Sequence, residues 1–88
     1  MRFSLEIVND KGLHARASAK FVETVERFDA TALVRRDGME VAGDSIMGLM
    51  MLAAAKGTSI DVTVDGAEAA PLADALRQLV AERFGEAT

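Results

Sequence analysis

The 88-residue chain has no cysteine, no tryptophan and no tyrosine, and it has a single proline and a single histidine. Without cysteine there can be no disulfide, thiolate nucleophile or zinc–thiolate site. One histidine excludes a multi-histidine metal site, and no acids stand at the spacing of a metal loop or a catalytic carboxylate pair, so no metal is expected. Basic charge is also short: 10 Lys and Arg against 14 Asp and Glu leave a formal charge of -4. A general nucleic-acid binder needs a broad basic surface, so no nucleic-acid partner is expected. No apolar run is long enough to span a bilayer, and Met1-Arg2 leads directly into an alternating pattern instead of a secretory signal. The expectation is a cytoplasmic protein with no membrane insertion. The length suits one small domain, 1–88, and the composition, 50% apolar and 27% charged, is globular.

Four strand-like and three helix-like segments can be read along the chain. Phe3, Leu5 and Ile7 alternate with Ser4 and Glu6, which predicts a half-buried strand over 2–8. A turn cluster at 9–12 follows. Ala17, Phe21, Val22, Val25 and Phe28 share one face of a helix over 15–28, with Arg16, Lys20, Glu23 and Arg27 on the other; Glu23 and Arg27 have the spacing of a favourable ion pair. Short strands at 31–36 and 39–42 flank Asp37-Gly38, a hairpin signal. Asp44-Ser45 offers an N-cap to an apolar stretch running to Ala55, with Lys56-Gly57 as its stop. Ile60, Val62 and Val64 alternate with polar residues in a fourth strand ending at Asp65-Gly66. Pro71 then stands near the start of a last helix, whose stripe is Leu72, Leu76, Leu79 and Val80 and whose stop is Gly85. The order is βαββαβα, a two-layer α+β domain with helices on one face of a mainly antiparallel sheet. Order alone leaves the strand arrangement open, since a ferredoxin-like sheet has a closely related string.

Three features could carry chemistry. The first is Gly12-Leu13-His14-Ala15-Arg16-Ala17-Ser18, where His14 occupies the cap position and supplies no Ser, Thr, Asp or Asn oxygen. The free N–H groups of Ala15, Arg16 and Ala17, with the helix dipole, then form an anion site, and Arg16 adds a charge shaped for phosphate. Three basic residues and no acid lie between Lys11 and Val22, a local positive patch on an acidic chain. The plainer alternative is a loop histidine beside a solvated arginine. The second feature is 45–55, where Ile46, Met47, Leu49, Met50, Met51 and Leu52 leave no polar face. A helix this short cannot bury its whole circumference, so some of these side chains form a docking surface, unless the helix is a covered core element. The third is Ser45, an N-cap that would also place a phosphate on the helix terminus beside that surface. The acids at 61, 65, 68, 74, 82 and 86 read as solvated surface.

Gly-Leu-His-Ala-Arg at 12–16 and Gly-Asp-Ser-Ile-Met-Gly-Leu-Met at 43–50, at this separation, resemble the HPr family, the histidine phosphocarriers of the bacterial phosphoenolpyruvate-dependent phosphotransferase system. The resemblance covers essentially the whole chain. It implies an open-faced β-sandwich of HPr type, a four-stranded antiparallel sheet in the order 1-4-2-3 covered on one face by three helices. It further implies that His14 accepts a phosphoryl group on Nδ1 from phosphorylated Enzyme I, which draws on phosphoenolpyruvate, and passes it to an Enzyme IIA-type protein. No other cofactor is implied, and the protein would be a stoichiometric carrier and not an enzyme. Arg16 would interact with the phosphoryl group, and Ile46, Met47 and Met50 would dock partners, with Leu49 and Leu52 in the core. Lys11, Arg16 and Lys20 would steer an acidic partner surface. Ser45 matches the family's regulatory serine, in a setting like that of members modified by HPr kinase/phosphorylase. Ala17 departs from the family's usual Pro, leaving one more N–H and a less constrained first turn. This Arg-Ala variant also resembles the nitrogen-related and regulatory branch, whose output need not be sugar uptake. A monomer is the simplest state for a carrier that serves several partners. Two other readings remain open: a regulatory adaptor controlled through Ser45, and a small acyl- or phosphate-ester hydrolase on a ferredoxin-like sheet.

Overall fold

The computed structural model describes residues 1–88. Strand β1 (Arg2–Glu6), helix α1 (Ala15–Glu26), strands β2 (Thr31–Arg36) and β3 (Met39–Ala42), helix α2 (Ile46–Met51), strand β4 (Ser59–Asp65) and helix α3 (Ala69–Ala81) follow in that order. The sheet is antiparallel throughout, in the order β1-β4-β2-β3. The first and third strands are therefore edges. A ferredoxin-like sheet puts those two strands at its centre, so that arrangement and the hydrolase reading built on it are set aside.

The alternation that marks the strands sorts their side chains by face. Leu5, Ala32, Val34, Ile60, Val62 and Val64 point into a core completed by Phe21, Val25, Leu49, Leu72, Leu76 and Val80 from the three helices. On the open face, Arg2 and Asp61 approach to 3.9 Å and Arg35 and Glu40 to 3.5 Å, all half-exposed, so these cross-strand pairs contribute little stability.

Several boundaries differ from the sequence reading. β1 ends at Glu6, although Ile7 still exchanges backbone hydrogen bonds with Thr58 and Gly57, at 2.8 Å each. α1 stops at Glu26. Arg27 is its C-cap and donates to Thr24 Oγ1 at 3.5 Å, so the expected Glu23–Arg27 pair does not form. α2 ends at Met51, four residues before Ala55. Ala53 takes φ +51°, which terminates the helix in a left-handed residue, and Arg36 Nη1 donates to the freed carbonyl of Leu52 at 3.0 Å. The apolar run outlasts the helix because Ala54 is needed as buried backbone elsewhere: its carbonyl accepts from Leu13 N–H at 2.9 Å.

The largest difference lies beyond α3. Gly85 does not simply stop the helix. Arg83, Phe84 and Gly85 all take positive φ (57°, 54° and 80°), forming a tight left-handed turn that reverses the chain. Two non-glycine residues in the left-handed region cost about 1–2 kcal/mol each. Phe84, fully buried in the core, offsets that cost, and the tail runs back across the N-terminal end of α1.

Candidate functional site

The site is assembled from the 9–14 loop, the first turn of α1, the 52–57 loop and the C-terminal tail. Gly12 makes it fit. With φ +65° it turns the chain beneath α1, and a Cβ there would stand 2.5 Å from the carbonyl oxygen of Ala54. That close approach lets Leu13 bond to Ala54. Ser18, also buried, donates its hydroxyl to the carbonyl of Leu13 at 3.2 Å. The residue before His14 is thus held from both sides.

His14 is the N-cap of α1, in extended conformation and with no side-chain cap. Its carbonyl accepts from Ser18 N–H at 2.8 Å, the first bond of the helix, so the N–H groups of Ala15, Arg16 and Ala17 have no partner within the chain. These donors and the positive helix end favour an anion. Ala15 and Arg16 are exposed, whereas the methyl group of Ala17 is buried in the core. The Arg16 guanidinium enters no ion pair, alongside Lys11 and Lys20 in an open cleft floored by tail residues 85–88. Lys20 is half-buried and donates Nζ–H to the carbonyl of Phe84 at 2.6 Å, so it tethers the tail as well as adding charge.

One residue in this site was misread from the sequence. Glu86 is not solvated surface: its side chain is 15% exposed, and Oε2 lies 2.5 Å from His14 Nε2. Its other oxygen accepts from Asn9 Nδ2 at 3.1 Å, and Asn9, fully buried, also donates to the carbonyl of Gly12 at 2.9 Å. Burial raises the Glu86 pKa, but the hydrogen bonds from His14 and Asn9 and the charges of His14 and Lys11 outweigh it, leaving the carboxyl below its usual range. The patch read as purely basic therefore holds one carboxylate. Nothing in the local pattern near residue 14 indicates it, because 72 residues separate the partners. The usable signal was Phe84-Gly85-Glu86, an aromatic placed after the apolar stripe of α3 had ended.

Ser45 caps α2, its Oγ accepting from Gly48 N–H at 3.0 Å, and it remains half-exposed. Ile46, Met47 and Met50 face solvent at 40%, 76% and 43% exposure, while Leu49 and Leu52 are buried. Met51, at 64%, extends the same apolar surface. The bond between Leu13 and Ala54 ties the segment that follows α2 directly to the histidine loop.

Comparison with known proteins yields a consistent set. Residues 1–82 match the family model described as "PTS HPr component phosphorylation site". The "Phosphocarrier protein HPr" of Neisseria meningitidis serogroup A is 50% identical over 86 residues, covering 98% of this chain and 97% of that one. The protein of the same name from Xylella fastidiosa (strain Temecula1) is 42% identical over 88 residues, covering 100% and 99%. Among solved structures, HPr-C-His from Thermoanaerobacter tengcongensis superposes with a TM-score of 0.94 at 34% identity, over 100% of this chain and 99% of that chain.

Proposed function

Because this chain belongs to the HPr family of phosphocarrier proteins of the phosphotransferase system, we propose that His14 is the residue that carries the phosphoryl group, received from phosphorylated Enzyme I and delivered to an Enzyme IIA-type protein. The observation that carries this reading is a half-exposed imidazole at an uncapped helix start, with free N–H groups and an unpaired arginine beside it. In the transfer, the Nδ1 lone pair of His14 attacks the phosphorus on the donor's histidine. The donor P–N bond breaks, and its electron pair returns to the donor ring. Onward transfer is the same exchange with His14 as donor. Arg16 and the N–H groups of Ala15, Arg16 and Ala17 stabilise the phosphoryl oxygens, the last of these being a donor that the family's usual Pro would lack. A few N–H groups and one guanidinium hold phosphate loosely enough for release, as a carrier requires.

Docking uses Ile46, Met47 and Met50, with Lys11, Arg16 and Lys20 steering acidic partners. The phosphoryl group originates in phosphoenolpyruvate, no other cofactor takes part, and the carrier acts as a cytoplasmic monomer without a turnover substrate of its own. No helix is long and apolar enough to cross a membrane. The test is His14→Ala: the variant should keep the parent's fold but accept no phosphoryl group from Enzyme I and phosphoenolpyruvate. Labelling equal to the parent's would refute the assignment.

A second layer is regulation through Ser45, which is half-exposed and sits one residue before the apolar docking surface. A phosphate there, added by an HPr kinase/phosphorylase, would set two negative charges against a surface that partners meet with apolar contacts. Ser45→Asp should slow phosphoryl acceptance or weaken partner binding. Unchanged behaviour would leave Ser45 as a helix cap alone.

A further inference from the structure

The C-terminal tail is held at points on both sides of Glu86. On one side, Phe84 is fully buried and its carbonyl accepts from Lys20. On the other, the carbonyl of Thr88 accepts from Asp10 N–H at 3.1 Å. Anchoring the tail therefore does not require Glu86. Nor is Glu86 placed for a simple ion pair: Lys11, Arg16 and Lys20 line the same cleft, yet its two oxygens go to His14 Nε2 and to buried Asn9. An ionised carboxylate only accepts hydrogen bonds, so a neutral imidazole in this contact must carry its proton on Nε2. The Nδ1 lone pair is then free, and no protein group occupies it.

We propose that Glu86 is a positioning residue of the phosphocarrier site, which binds the Nε2–H of His14, fixes the ring's tautomer and orientation, and thereby makes Nδ1 the atom that attacks phosphorus. The inference rests on the carrier reading of His14. Asn9 completes the arrangement: it bonds both Glu86 and the carbonyl of Gly12, so the carboxylate is referenced to the same loop that places the histidine. During transfer the Nε2 proton stays between the ring and Glu86. The positive charge that forms on the ring when Nδ1 gains phosphorus faces a carboxylate, and it is discharged when the phosphoryl group leaves. The three consecutive positive-φ residues at 83–85 give the chain the sharp reversal that delivers Glu86 to this point. The carboxyl's depressed pKa keeps it an acceptor at neutral pH.

Two measurements test the proposal, on the parent and on Glu86→Gln and Glu86→Ala, each first checked for an intact fold by thermal melting. Long-range proton–nitrogen NMR of the neutral His14 ring should show a protonated Nε2 and a bare Nδ1 in the parent. Both variants should show a mixture of tautomers, because Gln presents either an oxygen or an amide N–H to Nε2 and Ala presents neither. Phosphoryl acceptance from Enzyme I should slow about tenfold in both, by analogy with the lower end of what a metal-bound histidine loses with its orienting partner. A tautomer unchanged by the substitutions, or transfer at the parent's rate in both variants, would overturn the role of Glu86. Failure of the parent itself to accept phosphate would overturn the carrier reading instead, and the tautomer measurement would still decide whether Glu86 sets the ring.

Discussion

Phe84→Ala isolates what holds the tail in place. The phenyl ring is fully buried among the core side chains, with none of its surface in contact with solvent. Its residue has φ +54°, and alanine is penalised in that region much as phenylalanine is, so the substitution changes packing and leaves the conformational cost in place. Removing a buried phenyl group from a close-packed core costs about 3–5 kcal/mol in lost transfer energy and residual cavity. That is a large share of the roughly 5–15 kcal/mol by which such a domain is stable. With a slope of about 4–8 °C per kcal/mol for a chain of this size, the melting temperature should fall by about 12 °C or more. Calorimetry gives the shift, and hydrogen exchange supplies the local readout. The Asp10 amide, bonded to Thr88 in the parent, should lose protection as the tail detaches. A fall of less than about 4 °C together with a protected Asp10 amide would show that the tail is not held by Phe84, and the placement of Glu86 would lose its structural basis.

Gly12→Ala should destabilise by about 1–2 kcal/mol from the left-handed backbone alone, and by more because the new methyl meets the Ala54 carbonyl; denaturant unfolding measures it, and a neutral effect would contradict the close approach. Ser45→Ala should cost about 1 kcal/mol as a lost cap, whereas Ser45→Asp, itself a good cap, should melt near the parent; equal losses in the two variants would deny the capping role. The pH dependence has a definite sign. Glu86 is held down by His14 and Asn9 against the opposing effect of burial, and Asp10 by its hydrogen bond to Lys56 and the charge of that ammonium. A carboxyl with a lowered folded pKa stabilises above its unfolded value and loses that contribution as the pH falls through the folded one. The melting difference between the parent and Glu86→Gln should therefore shrink from roughly pH 5 downwards, and a constant difference would contradict the ionised contact.

What the sequence made legible was local. The alternation in β1 and β4, the Asp37-Gly38 turn, the uncapped start at His14 and the Ser45 cap all depend on residues a few positions apart, and each lies where that reasoning puts it. The outward and inward sides of α2 came from the family resemblance, since an all-apolar stretch has no periodicity to read. The two largest misreadings share one cause. Ala53 and the pair Arg83-Phe84 adopt left-handed conformations without being glycine, and only tertiary contacts make that worthwhile: the backbone of Ala54 under Gly12 and Leu13, and the ring of Phe84 in the core. The role of Glu86 depends on that second reversal, so no local pattern around His14 could disclose it. Arg27 shows the same limit on a smaller scale, since an ion-pair spacing has meaning only while the helix continues.

Intact-mass spectrometry decides whether His14 carries a phosphoryl group. The protein is incubated with phosphoenolpyruvate and a bacterial Enzyme I, and portions are then treated with alkali or acid. One phosphoryl group should be added per chain, stable in alkali and lost in acid, as a phosphohistidine behaves. No added mass with an Enzyme I that phosphorylates a known HPr, or a group that resists acid, would contradict it.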